Sequence, residues 1–238
     1  MSFDSIKTKL VAVLVLVSAV PLILSTAVSF FGTVSDAMDD AGARGLQSAS
    51  LVSSKIGAMF IETYAGLESF AASPATQNFI ASPDEETRNA MVVAVDKANA
   101  AFADGNNFIL TGSDGEQLIR SDGKGLVNTT SRAYFQAGMK GEKSISDVLV
   151  SKATGHFISV VAAPVRNASG EVIGIVQRDY DLAVLQDMVK EMASGDTSVI
   201  IIDRQGKLLT HSGREVSKEE DRVDENSYAF VGKALAGS

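Results

Sequence analysis

The chain has 238 residues, 45% of them hydrophobic and 21% charged, with 29 acidic side chains against 21 basic ones. A formal charge of −8 argues against a general nucleic-acid binder, which would present a basic face. Cysteine is absent, which excludes disulfide frameworks, thiol nucleophiles and cysteine-based zinc sites. Two histidines, His156 and His211, leave little material for a multi-histidine metal centre.

The apolar residues are unevenly spread. Residues 10–32 form a run with no charged side chain between Lys9 and Asp36. As a helix, Leu10 to Phe31 would extend about 33 Å, enough to cross a hydrocarbon core of about 30 Å. The alternative, a cleaved secretory signal, carries an apolar core of only about 7–15 residues. Lys7 and Lys9 precede the span, and Asp36, Asp39 and Asp40 follow it. The positive-inside bias therefore predicts a cytoplasmic N-terminus (residues 1–9) and an extracytoplasmic remainder.

From residue 33 to about residue 72 the chain lacks proline, and Ile56, Phe60, Tyr64, Leu67 and Phe70 recur at helical steps. One long extracytoplasmic helix is predicted over 33–72, with two shorter helices broken near Gly42 or Gly45 as the alternative. A further helix starts at Ser82-Pro83-Asp84-Glu85-Glu86, whose acidic residues suit the first turn. The pattern then turns to strands. Asn107–Thr111 and Gln117–Ser121 flank a turn and read as a hairpin. A polar loop, Ser121–Ser131, follows and reads either as a lid or as an ordinary connection, and a short helix is predicted over Arg132–Lys140. Strands are predicted at Ser144–Val150, His156–Val165 and Glu171–Gln177, with Pro164 at a strand end or edge. Asp181 reads as the N-cap of an amphipathic helix. These elements describe an α+β module: an antiparallel sheet with helices on one face.

The sheet's opening appears twice. FILTGSDGEQLIRS at Phe108–Ser121 matches VIIIDRQGKLLTHS at Val199–Ser212 with an offset of 91 residues, and Tyr134–Gly141 is echoed by Phe230–Gly237. The pattern predicts a duplicated module: a membrane-distal copy over 73–194 and the start of a membrane-proximal copy over 195–238. The second copy would stop before its last strands, so the chain reads as the first part of a longer protein. The acidic stretch Glu215–Asn226 reads as a solvated loop.

SRAYFQAGMKG at Ser131–Gly141, ISDVLVSKATG at Ile145–Gly155, AAPV at Ala162–Val165 and GEVIGIVQRDYDL at Gly170–Leu182 carry a resemblance. Together with the N-terminal span and the long helix, they resemble the tandem PAS-like (double Cache) sensor domains of bacterial methyl-accepting chemotaxis proteins. The resemblance implies a ligand pocket in the distal module. Amino-acid-binding members place an Arg on the ligand carboxylate, two aromatics around it and an Asp on the ammonium group. In this chain those positions resemble Arg132, Tyr134, Phe135 and Asp179. The aromatic pair departs from the family's Trp-Tyr, and Val127 stands where a further Tyr is usual. Asp147 is a lesser candidate for the same pocket.

The resulting expectation is a non-enzymatic sensor, with no cofactor and no metal. It would be a homodimer in the bacterial inner membrane that binds an amino acid, amine or small carboxylate and passes a conformational signal inward. A sensor feeding a histidine kinase or diguanylate cyclase, and a membrane-anchored extracytoplasmic enzyme, are the alternatives. His156 and His211 are expected to be polar surface or edge residues.

Overall fold

In the computed structural model, residues 6–193, 198–217 and 219–223 are described. The chain divides into two units, 1–53 and 54–238. The first helix, α1 (Ile6–Ala71), runs unbroken through Gly42 and Gly45. In the first unit its apolar side chains face outward, Leu14, Leu22 and Phe31 being 69–71% exposed. Ser18 and Thr26 turn their hydroxyls back onto the carbonyls of Leu14 and Leu22, which satisfies polar groups in an apolar stretch. With a mean hydropathy of 2.4, this part of α1 is long and apolar enough to cross a membrane.

The second unit takes up α1 at Ser54. Two helices follow, α2 (Pro74–Ala81) and α3 (Glu85–Phe102). Sequence reasoning passes over α2, which Pro74 opens at a position where its missing N–H costs nothing. Asp84 caps α3 by accepting from the Thr87 amide at 2.8 Å. The main sheet comprises β1 (Asn107–Gly112), β2 (Gln117–Arg120), β3 (Ser144–Ile145), β4 (Leu149–Val150), β5 (Phe157–Arg166) and β6 (Val172–Asp181). Its order is β2-β1-β6-β5-β3, with β4 also on β5, and every pairing is antiparallel. A helix α4 (Ala133–Met139) interrupts it after β2, and α5 (Leu182–Met192) follows β6.

Both faces of the sheet are covered, not one. On the first face, Leu67 of α1, Phe79 of α2 and Val95 of α3 pack against Phe108, Leu110, Val161 and Val176. On the second, α4 lays Tyr134 and Phe135 against Ile158, Val160, Ala162 and Ile175. Gly138 permits this approach, since a Cβ there would meet Ile175 Cγ2 at 2.5 Å. The predicted strand over 144–150 is two short strands, both on β5. Pro164 lies inside β5, at a point past Ala162 where β3 has ended and β6 is the remaining neighbour.

Strand β6 runs four residues beyond its predicted end at Gln177, through Arg178-Asp179-Tyr180-Asp181. A strand buried on both faces alternates its side chains between two interiors. Arg178 and Tyr180 point to the helices. Arg178 is fully buried, pairs with Asp104 at 2.5 Å, stacks over Phe102 at 3.7 Å and donates to the Tyr180 hydroxyl. Tyr180 in turn shares a short hydrogen bond with Thr63 of α1, and its ring meets Phe60 edge-on. Burial alone would raise the Asp104 carboxyl, but its bonds from Arg178 and Asn106 and the Arg178 charge outweigh that and hold it below its ordinary value.

The hairpin β7 (Ile200–Ile202) and β8 (Leu208–His211) repeats β1–β2 in detail. Phe108 and Val199 each donate to a serine hydroxyl, Ser121 and Ser212, 13 residues on. Gly115 and Gly206 close the two turns at φ +78° and +82°, and both strand pairs carry a register shift at the equivalent place. The echo at Phe230–Gly237 lies outside the described residues. Within the acidic stretch, Glu219–Asp221 forms a 3-10 turn, and Arg222 ties it to Asp203 at 2.8 Å.

Removing the Asp104 carboxylate leaves Arg178 buried without its ionic partner. Asp104→Ala should therefore destabilise the second unit by about 3 kcal/mol, the low end for a broken buried pair because Asp104 keeps 27% side-chain exposure. Urea unfolding followed by circular dichroism measures it.

Candidate functional site

The second face of the sheet closes around a small cavity. Its wall comes from Gln117 and Arg120 on β2, Val127 and Thr129 on the loop after it, and Arg132 and Tyr134 at the start of α4. Leu149, Ser151, Lys152 and Ile158 close one side and Asp179 of β6 the other. The enclosed space is about 10 Å³, room for roughly one water.

A β-bulge builds the β2 wall. Gln117 and Arg120 are three residues apart, which in a regular strand would send them to opposite faces. Ile109 pairs with Arg120 and Leu110 with Ile119, but Thr111 pairs with Gln117, so Leu118 is the extra residue. Both polar side chains thus face the cavity, while Ile119 keeps its place in the helix-side core.

The Arg120 side chain is 2% exposed. Its Nε and Nη2 donate to the two oxygens of Asp122 at 2.9 and 2.6 Å, a bidentate pair, and Nη1 donates to Gln117 Oε1 at 3.2 Å. Burial pushes the Asp122 carboxyl up, but the bonds from Arg120 and the Lys124 amide prevail and hold it below its ordinary value. Arg120 Nη1 also stands 4.0 Å from Asp179 Oδ2.

Asp179 is 4% exposed, and its Oδ1 accepts from Gln177 Nε2 at 2.8 Å. Burial pushes its carboxyl up to about 6, against the pull of Gln177 and Arg120. Tyr134 is equally enclosed, its hydroxyl pushed up to about 12 by burial and by the charge of Asp179. Arg132 is half-buried at the N-cap of α4, and its Nη2 donates to the Val150 carbonyl at 2.7 Å. Lys152 donates to the Asn128 carbonyl and the Ser131 hydroxyl.

The loop over 121–131 is fastened to the hairpin. The Val127 amide donates to Gln117 Oε1, Thr129 bonds Gly115 through both N and Oγ1, and Asn128 reaches Glu116. Gly115 allows the contact, because a Cβ there would stand 2.8 Å from the Thr130 amide nitrogen.

Of the four residues singled out from the sequence, Arg132, Tyr134 and Asp179 line one cavity. Phe135 is buried in the apolar cluster between α4 and the sheet and is not part of the cavity wall. Asp147 is exposed and stands apart from it. Asp181 caps α5 through the Ala183 amide and contacts His156, which is 64% exposed. Sequence reasoning misses Arg120, Gln117 and Lys152. The signal for Arg120 and Gln117 is that they put a polar residue at each end of a short strand with an apolar middle. Among the described residues no group of three or more metal-ligating side chains is found.

The strand order and the helix inserted after β2 fit the PAS-like module that the sequence leads one to expect. The chain belongs to the Cache domain family, which matches residues 35–236. This is a family of ligand-binding sensor modules. Solved structures share the fold at low identity. The sensor domain of the histidine kinase DctB from V. cholerae is 16% identical with a TM-score of 0.53; the match covers 67% of this chain and 63% of that domain. The sensory domain of the Campylobacter jejuni chemoreceptor Tlp3 with isoleucine bound is 14% identical with a TM-score of 0.56, over 80% and 75% of the two chains. A structure described as methyl-accepting chemotaxis protein X is 15% identical with a TM-score of 0.61, over 81% of each chain. Curated protein sequences give no match.

Asp179 makes the site's pH behaviour measurable. Its folded value near 6 lies above its ordinary 3.8, so the folded state holds the proton more tightly. That contribution to stability is complete below the ordinary value and is lost as pH rises through about 6. Relative to Asp179→Asn, which cannot titrate, the wild-type chain should lose up to about 3 kcal/mol of unfolding free energy between about pH 4 and pH 7.5. Paired urea titrations at the two pH values give the difference.

Proposed function

We propose that the chain is the extracytoplasmic ligand-sensing part of a transmembrane chemoreceptor, dimeric in the bacterial inner membrane with its N-terminus in the cytoplasm. The observation that carries the reading is the cavity, where charged groups from β2, the N-cap of α4 and β6 converge on one small space. Such a space, walled by few polar groups at fixed positions, suits a small molecule. The exposed apolar stretch of α1, with Lys7 and Lys9 before it and Asp36 after it, supports the membrane span and its orientation. The likeness to the Tlp3 sensory domain supports the chemoreceptor output. The likeness to the DctB sensor supports the second reading, the same module feeding a histidine kinase.

The ligand is an amino acid, amine or small carboxylate, and Arg132 is the anchor for a ligand carboxylate. Val150 takes one of the five N–H donors of Arg132, and a guanidinium matches a carboxylate bidentately. Tyr134 supplies the aromatic wall and Phe135 backs it. At about 10 Å³ the cavity must widen to admit such a molecule, and the loops over 121–131 and 150–156 are largely exposed. A ligand that prefers the widened form shifts the population toward it.

The test is calorimetric titration of the full 238-residue chain in detergent micelles with L-amino acids, polyamines and small carboxylates. At least one class should bind, and Arg132→Ala should weaken it by about 10- to 100-fold, as expected for losing a hydrogen bond to a charged group. Silence across the whole panel would sink the sensor reading.

A further inference from the structure

The charges around the cavity do not balance for a zwitterion. Three cations line it, the buried Arg120, the half-buried Arg132 and Lys152 on the exposed side, against one carboxylate, the buried Asp179. Asp122, outside the lining, partners the far edge of Arg120. Counting it still leaves one positive charge in excess. An amino acid adds no net charge and an amine adds to the excess. A carboxylate without an ammonium group removes it.

Asp179 is also poorly placed to receive an ammonium group. One of its oxygens accepts from Gln177 and the other faces Arg120 at 4.0 Å. An ammonium brought against this carboxylate would stand beside the Arg120 guanidinium in a dry site, where like charges repel strongly. Arg120 has no freedom to withdraw, because Asp122 holds it in a fork and Gln117 holds its third edge.

On the sensor reading above, we propose that this pocket is selective for small net-anionic carboxylates, such as dicarboxylates and hydroxy acids, with Arg120 as a second recognition cation and Asp179 as its counter-charge. Arg132 and Arg120 approach the cavity from α4 and β2, so a ligand with two acidic or polar ends spans them. Tyr134 and Ser151 line the part between with hydroxyl-bearing side chains. Asp179 then offsets part of the Arg120 charge and holds Gln177, and makes no bond that the ligand depends on.

The experiment is calorimetric titration of the full chain in detergent with succinate, malate, lactate, L-serine, L-valine and putrescine. The acids should bind at least about 10-fold more tightly than the amino acids, and putrescine should not bind. Asp179→Asn should change acid affinity by less than about 3-fold, whereas Arg120→Gln should lower it by about 10-fold or more. Melting by circular dichroism confirms that each variant is folded, and Arg120→Lys, which keeps the charge, should recover part of the loss. Tighter binding of L-serine or L-valine, abolished by Asp179→Asn, would overturn the proposal while leaving the sensor reading intact. No binding by any probe would remove both.

Discussion

A strand buried on both faces can carry charged side chains only if each finds a partner in the interior it enters, and β6 is built around that constraint. Over Gln177-Arg178-Asp179-Tyr180 the side chains alternate. Gln177 and Asp179 enter the cavity side, and Arg178 and Tyr180 enter the helix side. Arg178 pairs with Asp104 and stacks on the Phe102 ring, Tyr180 bonds Thr63, and Asp179 accepts from Gln177 beside Arg120, while Arg178 Nε is left without a hydrogen bond. The partners come from α1, α3, the turn before β1, and β2. The strand therefore fixes the position of most of the second unit.

The same four residues bring two polar networks within one backbone thickness of each other. On one side lies the candidate ligand cavity, and on the other the hydroxyl of Thr63 on the long helix. Neighbouring residues of a strand cannot rotate independently, because a turn of the backbone moves both sides together. A turn of the backbone at Asp179 is therefore felt at Tyr180. Interiors packed this densely pass on displacement rather than absorb it.

The architecture was legible where the sequence follows simple periods. The hairpins, the helix over 133–139, the cap at Asp181 and the long helix follow from alternation, turn glycines and helical spacing. Three features were hidden for identifiable reasons. The strand end at Gln177 was misjudged because Arg178-Asp179-Tyr180-Asp181 looks like solvent chemistry, and its partners lie far away in sequence, Asp104 being 74 residues distant. The second helical layer was missed because α4 is short and its two aromatics suggest a ligand as readily as a core. Phe135 turned out to face the core. Arg120 was missed because no residue pattern announces the bulge at Leu118. Arg132, Tyr134 and Asp179 came together because the family resemblance carried information that periodicity does not.

That bulge has a consequence for how such a pocket changes over generations. Side chains on a strand obey parity, and one additional residue inverts the parity of everything on its far side. Leu118 is that residue here, and it lets a short strand give two polar groups to one face while Ile119 stays in the opposite core. Loss of the Leu118 codon would restore regular pairing and leave Gln117 and Arg120 two residues apart, still on one face, so the polar pair would survive the deletion. The matching register shift in β7–β8 places Leu208 and His211 in the same relation. The two hairpins thus share one scaffold for a pair on one face and differ in what they mount on it, two polar side chains in the first and Leu208 with His211 in the second.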